Sequence, residues 1–174
     1  MFEALFDRRL KPDGAFARAL ADAGYQPSTA RPTYPTAVWV RCLEVAREHR
    51  FADLPRAEAY RRIGREFSEG FLETLSGKLL GVALGFMTPA RYVRRLATYF
   101  RLGRDDDDLT MELVRDEPGA IDAEVHNPAA VPGGFVAGMI DAAFARFGVT
   151  WTIDVEQRTE TDYRRRIRWT APAG

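Results

Sequence analysis

The chain has 174 residues, 46% hydrophobic and 29% charged, the balance of an ordinary soluble globular protein. Lys plus Arg number 25 and Asp plus Glu 25, so the formal net charge is zero and the basic excess of a dedicated nucleic-acid binder is missing. One cysteine, Cys42, excludes an internal disulfide and a cysteine-rich zinc site, and the longest apolar run, 79–87, falls far short of the roughly 20 residues that span a membrane.

The start lacks the long apolar core of a signal peptide, which points to a cytoplasmic protein. A single domain over 1–174 is expected, burying roughly 70% of its unfolded surface. Residues 1–10 fit a short strand or a helical start. A helix is predicted over 12–24, with Phe16, Ala19, Leu20 and Ala23 on one side and Gly24 as its stop. Three prolines, Pro27, Pro32 and Pro35, keep 25–35 extended or turning. Thr36 can cap the next helix, which runs to about Arg50 with Trp39, Cys42, Leu43 and Ala46 inward. That placement makes Cys42 a core residue. His49 sits at the helix's C-terminal end, where a cation is favourable.

A new helix begins near Pro55. Tyr60, Ile63, Gly64, Phe67, Phe71 and Leu75 form a continuous stripe. Arg61, Arg62, Arg65, Glu66, Glu69 and Glu73 lie opposite as a solvated face of mixed charge, with Glu58 and Arg62 spaced i,i+4. Over 76–87, Gly77, Gly81 and Gly85 recur every four residues and mark a ridge for close backbone packing. Thr88 and Pro89 restart a helix, with Tyr92, Leu96, Tyr99 and Phe100 inward and Arg91, Arg94, Arg95 and Arg101 outward. The carboxylate run Asp105–Asp108 lacks the alternating spacing of a calcium loop and reads as solvated.

From Leu109 the period changes to two. Two strands, separated by Pro118-Gly119, form a hairpin with Leu109, Met111, Leu113, Ile121, Ala123 and Val125 on one face. A helix over 131–148 then carries Phe135, Val136, Met139, Ile140, Ala143, Phe144 and Phe147 on a bulky side. Its other side, Gly134, Gly138, Ala142 and Ala145, would let a second helix approach, from the N-terminal half or another copy of the chain. These four are the candidate interface residues. Two more strands follow, the last with Tyr163, Arg165, Ile167 and Trp169 on one face and Arg164, Arg166 and Arg168 on the other. The arginine row faces Glu112, Asp122, Glu124, Asp154 and Glu156 on the other strands, a cross-strand pairing set. Arg165 falls on the nominally buried face, at the sheet's edge or paired in a cavity. The fold class is α+β: an N-terminal helical layer, 1–104, packed on a four-stranded antiparallel ββαββ half, 109–170.

The chemistry is sparse. There is no phosphate loop and no Gly-x-Ser-x-Gly elbow, and two histidines, His49 and His126, do not make a metal site. No catalytic residue and no metal ligand is assigned. His126, ending a strand on its polar face, is the sole polar site candidate. A pocket between helices and sheet would be lined by Trp39, Phe67, Phe71, Met139 and Trp151.

Several segments together resemble one family: YPTAVWVRCLE at 34–44, IGREFSEGFLETLSGKLL at 63–80, PARYVRRLATYFRLG at 89–103, PGGFVAGMIDAAFARFG at 132–148, and the basic strand ending in Trp169. Their order and spacing are similar to a myxobacterial family of uncharacterised proteins of this length. More distantly, the C-terminal half resembles the superfamily of haem-nitric-oxide-binding sensors, 4-vinyl-reductase-type domains and transport-protein-particle subunits. That resemblance implies a helical layer over an antiparallel sheet and a ligand-binding or dimeric scaffold role. The haem members' Tyr-x-Ser-x-Arg motif and the 4-vinyl-reductase cysteine cluster have no counterpart here, which argues against haem and zinc. The cofactor is left unknown. Two functions are expected: a non-enzymatic sensory domain taking a small apolar ligand, or a scaffold that forms a homodimer or binds a signalling partner. Neither involves nucleic acid or a membrane span.

Overall fold

The computed structural model describes residues 2–26, 34–96, 98, 110–127 and 131–170. A short π-type helix, Glu3–Leu10, precedes α1 (Gly14–Asp22), α2 (Thr36–Arg50), α3 (Arg56–Glu73), α4 (Leu75–Leu84) and α5 (Pro89–Arg94). Next come β1 (Thr110–Glu117), β2 (Ala120–His126), α6 (Gly133–Phe147), β3 (Thr150–Gln157) and β4 (Asp162–Thr170). Helices over a four-stranded antiparallel sheet give the α+β class that the change of period at Leu109 implies.

The first segment is helical because Ala4, Leu5, Phe6 and Leu10 are all buried, a set that an alternating strand cannot turn to one side. Lys11, at φ 44°, ends it, and its N–H donates to the Phe6 carbonyl at 2.7 Å. Arg9 then ties it to α3, with contacts of 2.9 Å to Glu66, 2.5 Å to Glu69 and 3.3 Å to Glu73. Pro35, not Thr36, holds the cap position of α2, and Thr36 is buried in the first turn. At α5 the Thr88 hydroxyl accepts from the Arg91 N–H, with Pro89 in the first turn. Arg62 pairs with Glu66 at 3.1 Å, also at i,i+4.

Two close crossings make α3 the axis of the molecule. A Cβ on Gly70 would lie 1.9 Å from the Ala4 carbonyl oxygen, and one on Gly138 would lie 1.9 Å from that of Arg61. No side chain survives such distances, so glycine alone permits the N-terminal helix and α6 to approach α3 this closely. Of the glycines spaced four apart, Gly77 is pressed against the backbone of Phe71 and Leu72, whereas Gly81 and Gly85 meet no such constraint. Instead, Leu79, Val82 and Phe86 are exposed along and just beyond α4, Phe86 by 85%. Tyr99, Phe100, Arg101 and the run Asp105–Asp108 lie outside the described residues.

The strand order is β1-β2-β4-β3, all antiparallel. Ile121, Ile153 and Ile167 align across three strands and are buried beneath α6. Phe144 of α6 is fully buried and meets Trp169 and Trp151 edge-on, with ring centroids 5.8 and 6.2 Å apart. Burial of such a ring contributes about 1.5–3 kcal/mol. β1 departs from the expected alternation. A register shift between Leu113 and Arg115 leaves Val114 exposed, and Leu113 sits at the margin of an edge strand. On the outer face, Arg168 pairs with Asp122, Arg164 lies 3.7 Å from Glu124, and Arg166 lies 2.5 Å from Glu156. The arginine row is a cross-strand partner set.

Candidate functional site

The α3–α6 crossing shapes the site. Besides Gly138, a Cβ on Gly64 would stand 2.0 Å from the Phe135 carbonyl oxygen, and one on Gly134 would stand 2.6 Å from that of Ala57. Beside this crossing, a groove of about 880 Å³ opens to solvent between the N-terminal half of α3, α6 and β3. Ile153 and Val155 line its β3 side and Phe51 and Leu54 one end, while Arg61 and Arg65 line the α3 wall.

At the groove lies Asp141, a carboxylate only 2% exposed. Arg61 donates to it twice, from Nε at 2.5 Å and Nη2 at 2.8 Å. Trp151 Nε1–H donates at 2.8 Å, and Arg65 Nε stands 3.7 Å away. The bidentate fork fixes both the position and the charge of Arg61. Its proton is held more tightly than in a free guanidinium, first through the hydrogen bond to Asp141 and then through the nearby charges of Asp141 and Asp154, against an opposing effect of burial. The arrangement is a charge-compensated brace at a groove lined by both charged and apolar side chains.

The residues singled out in the sequence separate into three places. Trp39, Phe67 and Phe135 pack ring against ring, with centroids 5.6–5.8 Å apart, and Phe71 stacks on Phe67 at 6.2 Å. Met139 is partly buried against the same core. Trp151 reaches the groove through its hydrogen bond to Asp141. His126 is elsewhere, half-exposed at the end of β2, where its Nδ1 lies 2.7 Å from Asp162. Gly134 and Gly138 face α3 of the same chain, Ala142 is half-buried, and Ala145 is exposed. The helix that approaches the small-residue side is therefore internal.

Asp162 gathers the His126 contact with hydrogen bonds from the Thr159 and Thr161 hydroxyls, at 2.5 and 2.9 Å. With Thr159 the largest influence, they hold its carboxyl at about 2. Burial pushes the Cys42 thiol up to about 12, which leaves it protonated and inert at neutral pH. Arg165 is not at the sheet's edge. β4 is an inner strand, and Arg165 is 1% exposed with no carboxylate among the described residues at ion-pair distance. Its Nη2 approaches the Met111 sulfur at 2.9 Å and its Nε has no hydrogen-bond partner among the described residues.

Asp141, Arg61 and Arg65 went unrecognised in the sequence. One signal was available: Asp141 is the single acid of α6, whose other residues apart from Arg146 are apolar or small, and Arg61 and Arg65 are one turn apart on a helix that must pack somewhere.

The model of a protein family of unknown function, DUF2378, matches residues 1–170. No curated protein matches the chain. Solved H-NOX structures share the fold. A variant of the K. algicida H-NOX protein in its unliganded Fe(II) form has 14% identity and a TM-score of 0.71, covering 98% of this chain and 95% of its own. An S. oneidensis H-NOX protein in the Fe(II)NO ligation state has 11% identity and a TM-score of 0.65, covering 90% and 89%. A third structure, from work on heme redox potential and porphyrin distortion, has 13% identity and a TM-score of 0.64, covering 99% and 93%. At these identities the likeness is one of fold.

Proposed function

The chain belongs to the DUF2378 family of proteins of unknown function, and from that premise and its H-NOX-like fold we propose a non-enzymatic sensory domain that binds a small molecule. The ligand sits in the groove between α3, α6 and β3. The observation that carries this reading is the buried Asp141, held by Arg61 and Trp151 at a groove where charged side chains stand beside apolar ones. A few fixed polar groups on an apolar surface, in a volume of about 300–1,000 Å³, are what small-molecule sites need. The aromatic cluster of Trp39, Phe67 and Phe71 then supports the groove from behind instead of lining it.

No histidine or cysteine among the described residues is placed to ligate a haem iron. That iron needs an axial donor such as an imidazole or thiolate facing the interior. His49 stacks on Phe16 at the outer end of α2, His126 faces Asp162 at the end of β2, and the Cys42 thiol is held protonated among core side chains. The described residues likewise bring together no group of three or more His, Cys, Asp or Glu that could hold a metal ion. No described helix is long and apolar enough to cross a membrane.

Native mass spectrometry of the purified chain tests the proposal. It predicts a bound small-molecule mass that leaves on denaturation and is missing from Ala57→Trp, which fills the groove. A bound mass that persists in Ala57→Trp contradicts the groove. A second reading, a dimerising or partner-binding scaffold, has its own observation in the exposed stripe Leu79, Val82 and Phe86. Light scattering on Phe86→Ser separates the two: a dimer that dissociates on this change favours the scaffold.

A further inference from the structure

The α3 wall of the groove carries more positive charge than its acids balance. Arg61 and Asp141 neutralise each other, and Arg62 is paired with Glu66 at 3.1 Å. Arg65 is different. Its nearest carboxylate oxygen among the described residues is that of Asp141, at 3.7 Å from Nε, and Asp141 is already engaged by Arg61 and Trp151. Its side chain is 43% exposed on the groove side of α3. The other acid on this wall, Glu58, is two turns from Arg65, about 10 Å along the helix at a rise of 1.5 Å per residue. The groove thus has a basic end at Arg61 and Arg65 and an apolar floor in Ile153 and Val155.

Resting on the ligand-binding reading above, we propose that the ligand is a small amphiphile with one anionic head and an apolar body. The head binds Arg65 and the Nη1 edge of Arg61, which has no hydrogen-bond partner among the described residues, and the body lies along Ile153, Val155 and Phe51. Asp141 is a positioning residue: it holds Arg61 in place and turns its free edge towards the head. A guanidinium is suited to this task because it is always charged and presents several donors in a fixed plane. Apolar burial supplies affinity and the arginines supply orientation and choice of head.

Dodecanoate, kept below its micellar concentration, is the probe, and calorimetric titration of the full chain is the measurement. The expected result is one saturable site per chain, weakened at least tenfold by Arg65→Gln and largely retained by Arg65→Lys. Dodecanol, with the same tail and no charge, should bind more weakly and ignore Arg65→Gln. Absence of saturable dodecanoate binding, or equal affinity in the wild type and Arg65→Gln, overturns the anionic head. The Ala57→Trp variant separates this failure from that of the groove. Binding abolished by Ala57→Trp but untouched by Arg65→Gln leaves the groove standing and removes the head assignment. Dodecanoate binding that survives Ala57→Trp overturns both.

Discussion

Asp141 and Arg165 are almost equally buried, 2% and 1% exposed, yet their surroundings are opposite. Asp141, on α6, is met by two arginines and an indole. Arg165, on the inner face of β4, has Ala123 and Val155 as its strand neighbours and a methionine sulfur as its contact. Burial makes its guanidinium easier to deprotonate than an exposed one. The contrast teaches that burial alone does not make a charge structural. A buried charge with well-placed partners locks two elements together, while one that meets no carboxylate among the described residues carries most of its desolvation cost uncompensated.

The largest effect should come from breaking the satisfied member. Asp141→Ala leaves Arg61 and the Trp151 N–H without their acceptor and should cost about 3–5 kcal/mol in urea unfolding. A loss below about 1 kcal/mol would mean that water replaces the carboxylate without penalty. The opposite sign is expected for the other buried charge. Arg165→Met keeps the stem and removes the charge, and should raise stability by about 1–4 kcal/mol. A loss of several kcal/mol would place an acid against Arg165 and make the two residues alike.

Exposed ion pairs complete the series. Asp162 is held at about 2, below the roughly 3.9 of an aspartate in an unfolded chain. Its ionised form therefore favours folding above about pH 4, and that contribution fades as the pH falls through about 2. Wild type and Asp162→Asn should differ in melting temperature at pH 6 and converge near pH 2; a difference that persists in acid would assign the effect to something other than ionisation. The smallest change is at Arg166, which meets Glu156 on the solvated face. Arg166→Ala should shift stability by no more than about 1 kcal/mol, measured in the same urea series.

Much of the fold was legible because its signals are periodic or local. The change of period at Leu109 announced the strands, Pro118-Gly119 the hairpin, and Gly148 the end of α6. The glycines of 131–148 announced a close helix approach, and the partner proved to be α3. What stayed hidden depends on which faces meet in space. Arg61, Arg62 and Arg65 look like any solvated helix face until α6 brings Asp141 beneath two of them. Trp39, Phe67 and Phe71 have the composition of a pocket wall, but packing sets them against one another. β1 follows its alternation only until the register shift at Leu113, which no residue type in the strand signals. His126 was readable as a polar strand end, though its partner, Asp162, is 36 residues away.

The most direct test follows the indole N–H resonances of Trp39, Trp151 and Trp169 by nitrogen-15 NMR during a dodecanoate titration. Trp151 donates to Asp141 at the groove, whereas Trp39 sits in the aromatic cluster behind it. The account predicts that the Trp151 indole shifts with saturation while that of Trp39 stays in place. A Trp39 resonance that moves while Trp151 remains fixed would put the ligand among the aromatic rings and contradict the groove.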